Sequence, residues 1–259
     1  MLSRIQQHVD LKSLTTAYGR EITMHTIEQV YTYEILTKNQ ADLIEKAAVC
    51  LARTFVGVDV AGKWVQEPMI GYLHLPYEDF YQFTKDYLEG TVDQAYCAVA
   101  LDEERNVVGV LAGDTNALEI IEGEMFEGSF SDMNIIMEVL EDIDKRFLED
   151  FEKRYGKEME DGEILHLFLL GVIAEQSRHE VVQQLGDILI KKATEDGLKL
   201  VLAEATNPKS MRLLEKFHGV NKYVDLDGNY IVHRYKDNSN LDIIPETVAD
   251  GTYIIVREL

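Results

Sequence analysis

Proline and cysteine are scarce in this chain of 259 residues, which contains four prolines and two cysteines. Few prolines and no run rich in Ser, Pro or Gly argue against a flexible linker, so we expect one folded domain over residues 30–259 behind an N-terminal appendage, residues 1–29. Cys50 and Cys97 each lie in an apolar stretch. This setting favours packed, reduced thiols over a disulfide scaffold or a metal site.

Long apolar runs are also missing. No segment approaches the roughly 20 apolar residues of a membrane-spanning helix, and the first residues lack the apolar segment of a signal peptide. We therefore expect a cytoplasmic protein without a membrane partner.

Basic residues are few: Lys and Arg number 25 against 47 Asp and Glu, which gives a formal net charge of −22. Such a surface repels nucleic-acid phosphates, and no basic stripe offsets it, so we expect no nucleic-acid partner. The acidity favours solubility and attracts cationic substrates such as amines, but it opposes an anionic cofactor unless local groups reverse the field. The oligomeric state stays open, a homo-oligomer included.

Several catalytic signatures are absent as well. No HExxH, paired CxxC, P-loop or GxSxG element occurs. The sequence therefore has no motif for the common metalloproteases, zinc sites, nucleotide hydrolases or serine hydrolases. One amphipathic segment carries a cluster of acidic residues, and we expect the solvated face of a helix there rather than a metal site. The members of this cluster are Asp142, Asp144, Glu149 and Asp150.

Periodic apolar residues predict an α/β chain in its first half. Residues 30–36 alternate like a strand, and Thr37 offers an N-cap to the helix that follows. Pro76 begins a second helix that ends near Gly90. Segments 95–101 and 107–113 then form a hairpin across a polar turn. A long amphipathic helix follows, capped by Ser131 or Asp132.

The second half contains the strongest strand signal. Residues 164–173 are continuously apolar, which predicts a central strand buried on both faces. A helix ending at Gly197 and a strand at 198–203 complete a β-α-β unit, whose right-handed crossover makes its two strands parallel neighbours. We expect these strands to diverge at their carboxyl ends. Because antiparallel hairpins precede this unit, the sheet should be mixed and mostly antiparallel, with helices on its faces.

The turn after the central strand is the candidate binding site. The helix behind it points free N–H groups and the positive end of its dipole at the strand's end, which suits an anion. The segment VIAEQSRHEVVQQL resembles the cofactor motif of the GNAT N-acetyltransferases, in which a Val precedes an Arg/Gln-x-x-Gly-x-Gly/Ala loop and a Leu follows. Val172 and Leu185 match the framing positions.

Two further motifs are similar to the arylalkylamine/dopamine N-acetyltransferase branch of that superfamily. One is E-P-M, beginning at Glu67, and the other is S-x-R-x-x-E-K, beginning at Ser210. The resemblance covers residues 30–259 and implies the GNAT fold, with transfer of an acetyl group from acetyl-CoA to a primary amine by direct attack. It implies acetyl-CoA as co-substrate and the following contacts to it: Val172, Ile173, Ser177, Arg178, His179, Glu180, Val181, Val182 and Asn207.

The loop departs from the family pattern. Ser177, Glu180 and Val182 stand where the family has a basic or amide residue and two small ones. Glu180 adds a carboxylate near phosphates, which Arg178 and His179 would have to compensate. Alternatively, Ser177 and Glu180 form a capping box, S-x-x-E, on the helix. The chain would then be a catalytically inactive binding or regulatory module with a degenerate loop.

The resemblance also implies catalytic residues, each with a structural alternative. Glu67 would be the water-assisted general base, or else an ordinary loop carboxylate before a proline. Leu214 occupies the place of the superfamily's usual tyrosine acid, so the hydroxyls of Thr206 and Ser210 would assist, unless they only cap the last helix. His166 would point from the central strand into the same cavity, or else be a satisfied core residue.

Overall fold

The computed structural model describes residues 30–118, 120, 123–173 and 178–259, together with the backbone of two short paired strands, β1 (Leu14–Thr15) and β2 (Glu21–Ile22). Most of the expected N-terminal appendage therefore lies outside the described residues.

The first half follows the predicted order with two additions. Its elements are β3 (Thr32–Ile35), α1 (Ala41–Val56), β4 (Val58–Val60), β5 (Lys63–Val65), α2 (Pro68–Tyr72), α3 (Tyr77–Thr91), β6 (Cys97–Leu101) and β7 (Val107–Asp114). The β4–β5 hairpin and α2 were not predicted. The first helix begins later than expected, because Gln40 occupies the N-cap and its Oε1 accepts from Thr37, from N–H at 2.9 Å and from the hydroxyl at 3.1 Å.

The second half also follows the predicted order. Its elements are α4 (Met133–Tyr155), β8 (Ile164–Val172), α5 (Arg178–Asp196), β9 (Leu200–Ala205), α6 (Pro208–His218), β10 (Asn221–Lys222), β11 (Val232–Arg234) and β12 (Gly251–Glu258). Strand β9 runs two residues further than the predicted 198–203, which matters for the site.

The main sheet has eight strands in the order β10-β12-β9-β8-β7-β6-β3, with β11 also paired to β12. Strands β8 and β9 are parallel and the other neighbours are antiparallel. The expected mixed, mostly antiparallel sheet is confirmed.

The parallel pair separates after a short contact. Pairing runs only from Ile164↔Leu200 to His166↔Leu202, although β8 continues to Val172. Because β9 stays paired with β12 along its whole length, the gap opens on its β8 side. Strand β8 also has a β-bulge here. Leu167 and Leu169 pair with the consecutive β7 residues Gly113 and Ala112, so Phe168 is the extra residue. We call this gap the wedge.

The helices cover both faces of the sheet. Ala98 and Ala100 of β6 pack in one cluster with α5, whereas Cys97 and Val99, which point to the opposite face, pack with α1. Helix α6 shares the α5 face, and α4 lies on the α1 face. Both cysteines are buried as thiols. Within the described residues, no helix is long and apolar enough to span a membrane.

Candidate active site

The wedge opens into a cavity of about 490 Å³, a volume within the usual range of small-molecule sites. Its walls come from the carboxyl ends of β8 and β9, the first turns of α5 and α6, and the segment that leads into α2. Among the sequence-predicted site residues, those that line it are Glu67, Val172, His179, Val182, Thr206, Asn207 and Ser210.

One half of the cavity is apolar and aromatic. Phe55, Phe80, Phe83 and Phe168 line it, and the packing of their rings reaches from α1 through α3 to the bulge of β8. Three further residues from α4 complete this half: Met133, Ile136 and Leu140. Such a surface suits the apolar part of a ligand.

Glu67 is the buried polar group at the border of that half. The residue is 5% exposed and forms the N-cap of α2, where its Oε2 accepts from the backbone N–H of Ile70 at 2.7 Å. Its Oε1 is buried without a hydrogen-bond partner among the described residues. Burial raises the pKa of Glu67, although Ile70 N–H and the nearby Thr206 hydroxyl partly oppose the effect. The hydrogen bond of the cap fixes the position of Oε2.

Thr206 and Ser210 also line the cavity, and the Thr206 side chain lies close to the Glu67 carboxylate. Asn207 is the N-cap of α6, with its Oδ1 accepting from Lys209 N–H at 3.0 Å, so neither hydroxyl is needed as the cap. The carbonyl of Thr206 accepts from the hydroxyl of Tyr235 at 3.3 Å, which fixes the backbone at the end of β9. Both hydroxyl-bearing residues remain on the cavity surface.

His166 lies behind the cavity wall rather than on it. Its Nε2 is 2.8 Å from Oε2 of Glu204, and its Nδ1 is 3.5 Å from Oδ2 of Asp114. The hydroxyl of Tyr87 donates to the same Asp114 oxygen at 2.8 Å. Burial lowers the pKa of His166, but Glu204 and Asp114 outweigh burial and leave the pKa well above its ordinary value. The imidazole is thus a charged core residue, and Glu204 stands between it and the cavity.

Two members of the acidic cluster on α4 are less exposed than expected: Asp144 is half-buried, with its Oδ1 covered, and Asp150 is buried. Burial and the neighbouring Glu204 raise the pKa of Asp144 to about 9, so this side chain keeps its proton at neutral pH. Asp150 is 7% exposed and accepts from the Tyr223 hydroxyl at 2.5 Å. Asp142 and Glu149 are exposed as expected. Among the residues described, no group of three or more His, Cys, Asp and Glu is arranged to hold a metal ion.

The cofactor loop is only partly described. Residues 174–177, with Ser177, lie outside the described residues, as does the side chain of Arg178, so the capping box stays a prediction. His179 is exposed at the mouth of the cavity, while Val182 is 2% exposed and packs into the core. A side chain of this size at position 182 keeps the helix backbone farther from a ligand than glycine would.

Three other predicted contacts are not among the residues that line the cavity. Val181 packs against the sheet, since a Cβ added to Gly109 would lie 2.6 Å from its Cγ1. Glu180 is not among the cavity-lining residues; together with burial, its carboxylate raises the pKa of Tyr33 on the edge strand β3. The N–H of Ile173 donates to the Val108 carbonyl at 2.9 Å and so faces β7 rather than the wedge.

A basic surface lies at the mouth of the cavity, although the sequence predicted no basic stripe. Lys209, Arg212 and Lys216 lie on one face of α6, are exposed, and line the cavity. None of the three has an ion-pair partner in the part of the chain that the structure describes. The spacing i, i+3, i+7 was the available signal. We call these three residues the α6 cations; they place positive charge at the mouth of the cavity in a protein of net charge −22.

No protein-family model matches the sequence, and a search of curated proteins also finds no match. Solved structures do match. Arylalkylamine N-acetyltransferase 2 from Aedes aegypti is 14% identical, with a TM-score of 0.56 over 88% of this chain and 98% of the other. The polyamine N-acetyltransferase of Drosophila melanogaster is 16% identical, with a TM-score of 0.56 over 88% of this chain and 100% of the other. The C-terminal condensation domain of Ebony is 15% identical, with a TM-score of 0.58 over 88% and 99%. This chain therefore has the GNAT acyltransferase fold that its sequence predicts.

Proposed function

We propose that this protein is an N-acetyltransferase that transfers the acetyl group of acetyl-CoA to a primary amine by direct attack. The observation that carries the proposal is Glu67, a buried carboxylate held by the α2 cap, with an unpartnered oxygen in a cavity that opens between two diverging parallel strands. A buried polar atom without a partner is costly, and it marks a place where a ligand or water completes the bonding.

The residues around the wedge fit acetyl-CoA. The wedge leaves the edge of β8 beyond His166 open towards β9, which suits an extended arm with amide groups. His179 and the α6 cations stand at the mouth, where the phosphates of the cofactor would lie beside the amino end of α5. When bound, the cofactor supplies an acetyl thioester that is activated towards attack by an amine.

Glu67 suits the role of general base. The amine must lose a proton to attack the carbonyl carbon, and a carboxylate whose pKa is raised by burial accepts that proton more readily. Oε2 is occupied by Ile70 N–H, which leaves Oε1 to receive the proton, directly or through a water molecule. The hydroxyls of Thr206 and Ser210, which line the same cavity, would donate to the departing thiolate.

The acceptor half of the cavity favours an amine with an apolar body. Four phenylalanines attract both aryl groups and cations. Two structural neighbours are named for amine acceptors, one as an arylalkylamine and the other as a polyamine N-acetyltransferase. The net charge of −22 would draw such cationic substrates towards the protein.

A calorimetric titration with acetyl-CoA, followed by mass spectrometry of an amine panel, tests the proposal. We expect saturable binding and an acetylated amine that forms together with free coenzyme A. Binding without turnover on any amine would support the alternative, an inactive binding or regulatory module, which the bulky Val182 and the altered loop favour. Absence of binding at millimolar cofactor would overturn both functions and leave only the fold.

A further inference from the structure

Tyr235 is a buried side chain that the proposed reaction does not use. It directly follows β11, is 1% exposed, and is not among the residues that line the cavity. Its ring belongs to the apolar cluster that also contains Met69 and Ile70 of α2, the helix that Glu67 caps. Since Met69 and Ile70 do line the cavity, Tyr235 lies behind the wall that α2 contributes.

The hydroxyl of Tyr235 closes the end of the ladder between β9 and β12. Strand pairing stops at Ala205↔Tyr253, so the backbone ladder does not extend to Thr206. The Tyr235 hydroxyl donates to the Thr206 carbonyl at 3.3 Å and lies 2.9 Å from Oγ1 of the buried Thr252. Because a carbonyl can only accept, the single hydroxyl proton of Tyr235 serves Thr206, and the Thr252 hydroxyl is the donor in the second bond.

The end of β9 lies beside Glu67, the base of the proposed reaction. Burial raises the pKa of Glu67, and the Thr206 hydroxyl is one of the groups that oppose this effect. Burial also raises the pKa of Tyr235 above its ordinary value, with Glu67 and, more weakly, Asp250 adding to the rise. Tyr235 therefore remains a neutral donor throughout the pH range in which Glu67 can act as a base.

We propose that Tyr235 is a positioning residue for acetyl transfer, whose hydroxyl holds Thr206 so that the Thr206 side chain stays beside Glu67. The inference rests on the proposed function, in which Glu67 takes the amine proton and Thr206 assists the departing thiolate. Tyr235 touches neither substrate, keeps its own proton during the reaction, and acts through Thr206 alone. A displacement of about 1 Å near reacting groups can lower an enzymatic rate by roughly a hundredfold, so a fixed Thr206 matters for the rate.

Removal of the hydroxyl alone tests the inference. Tyr235→Phe should lower kcat by about tenfold or more, while KM for the amine and for acetyl-CoA stays within about twofold, because position 235 lies outside the cavity lining. Thr252→Val is the matched control, since it removes the other hydrogen bond of the same hydroxyl and leaves the bond to Thr206. Both variants should unfold at lower urea concentrations than the wild type, but only Tyr235→Phe should lose activity.

The pH profile distinguishes positioning from a general loss of structure. In Tyr235→Phe the Thr206 hydroxyl no longer opposes the effect of burial, so the pKa of Glu67 should rise further. A base must be deprotonated to act, so the acid limb of kcat/KM should move to higher pH, and Thr206→Val should move it in the same direction. Thr252→Val should keep the acid limb of the wild type.

A double-mutant cycle tests whether Tyr235 acts through Thr206. Thr206→Val removes the hydroxyl that Tyr235 positions, so the addition of Tyr235→Phe should lower kcat by less than about twofold more. If the two losses multiplied in the double variant, Tyr235 would act by another route and the inference would be overturned. A Tyr235→Phe variant with the kcat and pH profile of the wild type would overturn it as well.

Two further substitutions cover the case in which Tyr235→Phe does not fold. Tyr235→4-aminophenylalanine keeps an N–H donor for the Thr206 carbonyl, whereas Tyr235→4-methylphenylalanine fills the same space without a donor. We expect the amino variant to keep kcat within about threefold of the wild type and the methyl variant to lose about tenfold or more. Equal activity of the two variants would contradict the inference and leave the proposed function standing. A wild type that acetylates no amine would instead overturn the proposed function.

Discussion

Glu67 Oε2 accepts a hydrogen bond from the backbone N–H of Ile70 at 2.7 Å, so one carboxylate both caps α2 and lines the cavity. The two roles use different oxygens, since Oε1 has no hydrogen-bond partner in the described part of the chain. Substitutions at this position can therefore separate the structural role from the chemical one.

Glu67→Gln should lower acetyl transfer by about a hundredfold or more, because an amide cannot accept the amine proton. Its amide oxygen still accepts from Ile70 N–H, so the free energy of unfolding and the affinity for acetyl-CoA should change little. Glu67→Ala should lose the activity and, in addition, about 1 kcal/mol of stability with the cap. Steady-state kinetics, calorimetry and urea denaturation measure the three effects, with the exposed Glu78→Gln as control. Unchanged turnover in Glu67→Gln would assign this residue a structural role alone.

Asp144→Asn should stabilise the protein increasingly as pH rises. The folded protein keeps the Asp144 proton up to a pKa of about 9, whereas the unfolded chain releases it near its ordinary pKa of roughly 3.9. Between these values the folded state binds more protons, so rising pH lowers the free energy of unfolding of the wild type. The variant has no proton to lose there.

Urea denaturation at several pH values between about 5 and 9 measures the difference in free energy of unfolding between the variant and the wild type. We expect the stability difference between Asp144→Asn and wild type to grow across that window. Glu149→Gln, exposed on the same helix, should show a constant difference. A stability difference for Asp144→Asn that does not depend on pH would contradict the raised pKa of Asp144.

Substitution of glycine by alanine should have opposite effects on stability at two helical positions. A Cβ on Gly186 would lie 2.2 Å from Nε2 of His218, whereas a Cβ on Gly90 meets nothing within 4 Å. Gly90→Ala should stabilise α3 by about 0.5–1 kcal/mol through helix propensity. Gly186→Ala should instead destabilise the protein by about 1–3 kcal/mol, since α5 and α6 must separate. Denaturation curves of both variants measure the two changes in stability. Equal changes would show that the His218 side chain moves to accommodate the added methyl group.

Much of the fold could be predicted because its signals are local. The continuous apolarity of 164–173 identified the central strand, and the β-α-β order implied the parallel pair, which the structure confirms. The site was harder. The sequence predicted a strand that ended at Ala203, but β9 continues to Ala205 and stays paired with β12 over that length. This extension buries the Glu204 carboxylate.

Asp144 illustrates the same limit on a helix. It lies four residues after Leu140 and three before Phe147, both buried, so the 3.6-residue period alone would have placed it near the core. Its charge favoured solvent in the sequence analysis. Only the position of Glu204 on a distant strand shows that the two carboxylates share a buried environment. Contacts of this kind depend on tertiary packing, which periodicity cannot report.

The α6 cations give the sharpest test of where the cofactor lies. Replacing Lys209, Arg212 and Lys216 together with Gln should weaken acetyl-CoA binding by about tenfold at low salt, because exposed charge pairs contribute little singly but add up. Wild-type affinity should fall with ionic strength, and the variant should show a shallower dependence, since screening acts on the charges that were removed. Calorimetric titrations at several salt concentrations measure both slopes. Lys145→Gln, which removes an exposed lysine from α4, should bind like the wild type. If the triple variant kept both the affinity and the salt dependence of the wild type, the phosphates would have to lie away from α6. Other groups would then have to offset the negative charge of the protein, −22 in total, at the phosphate site.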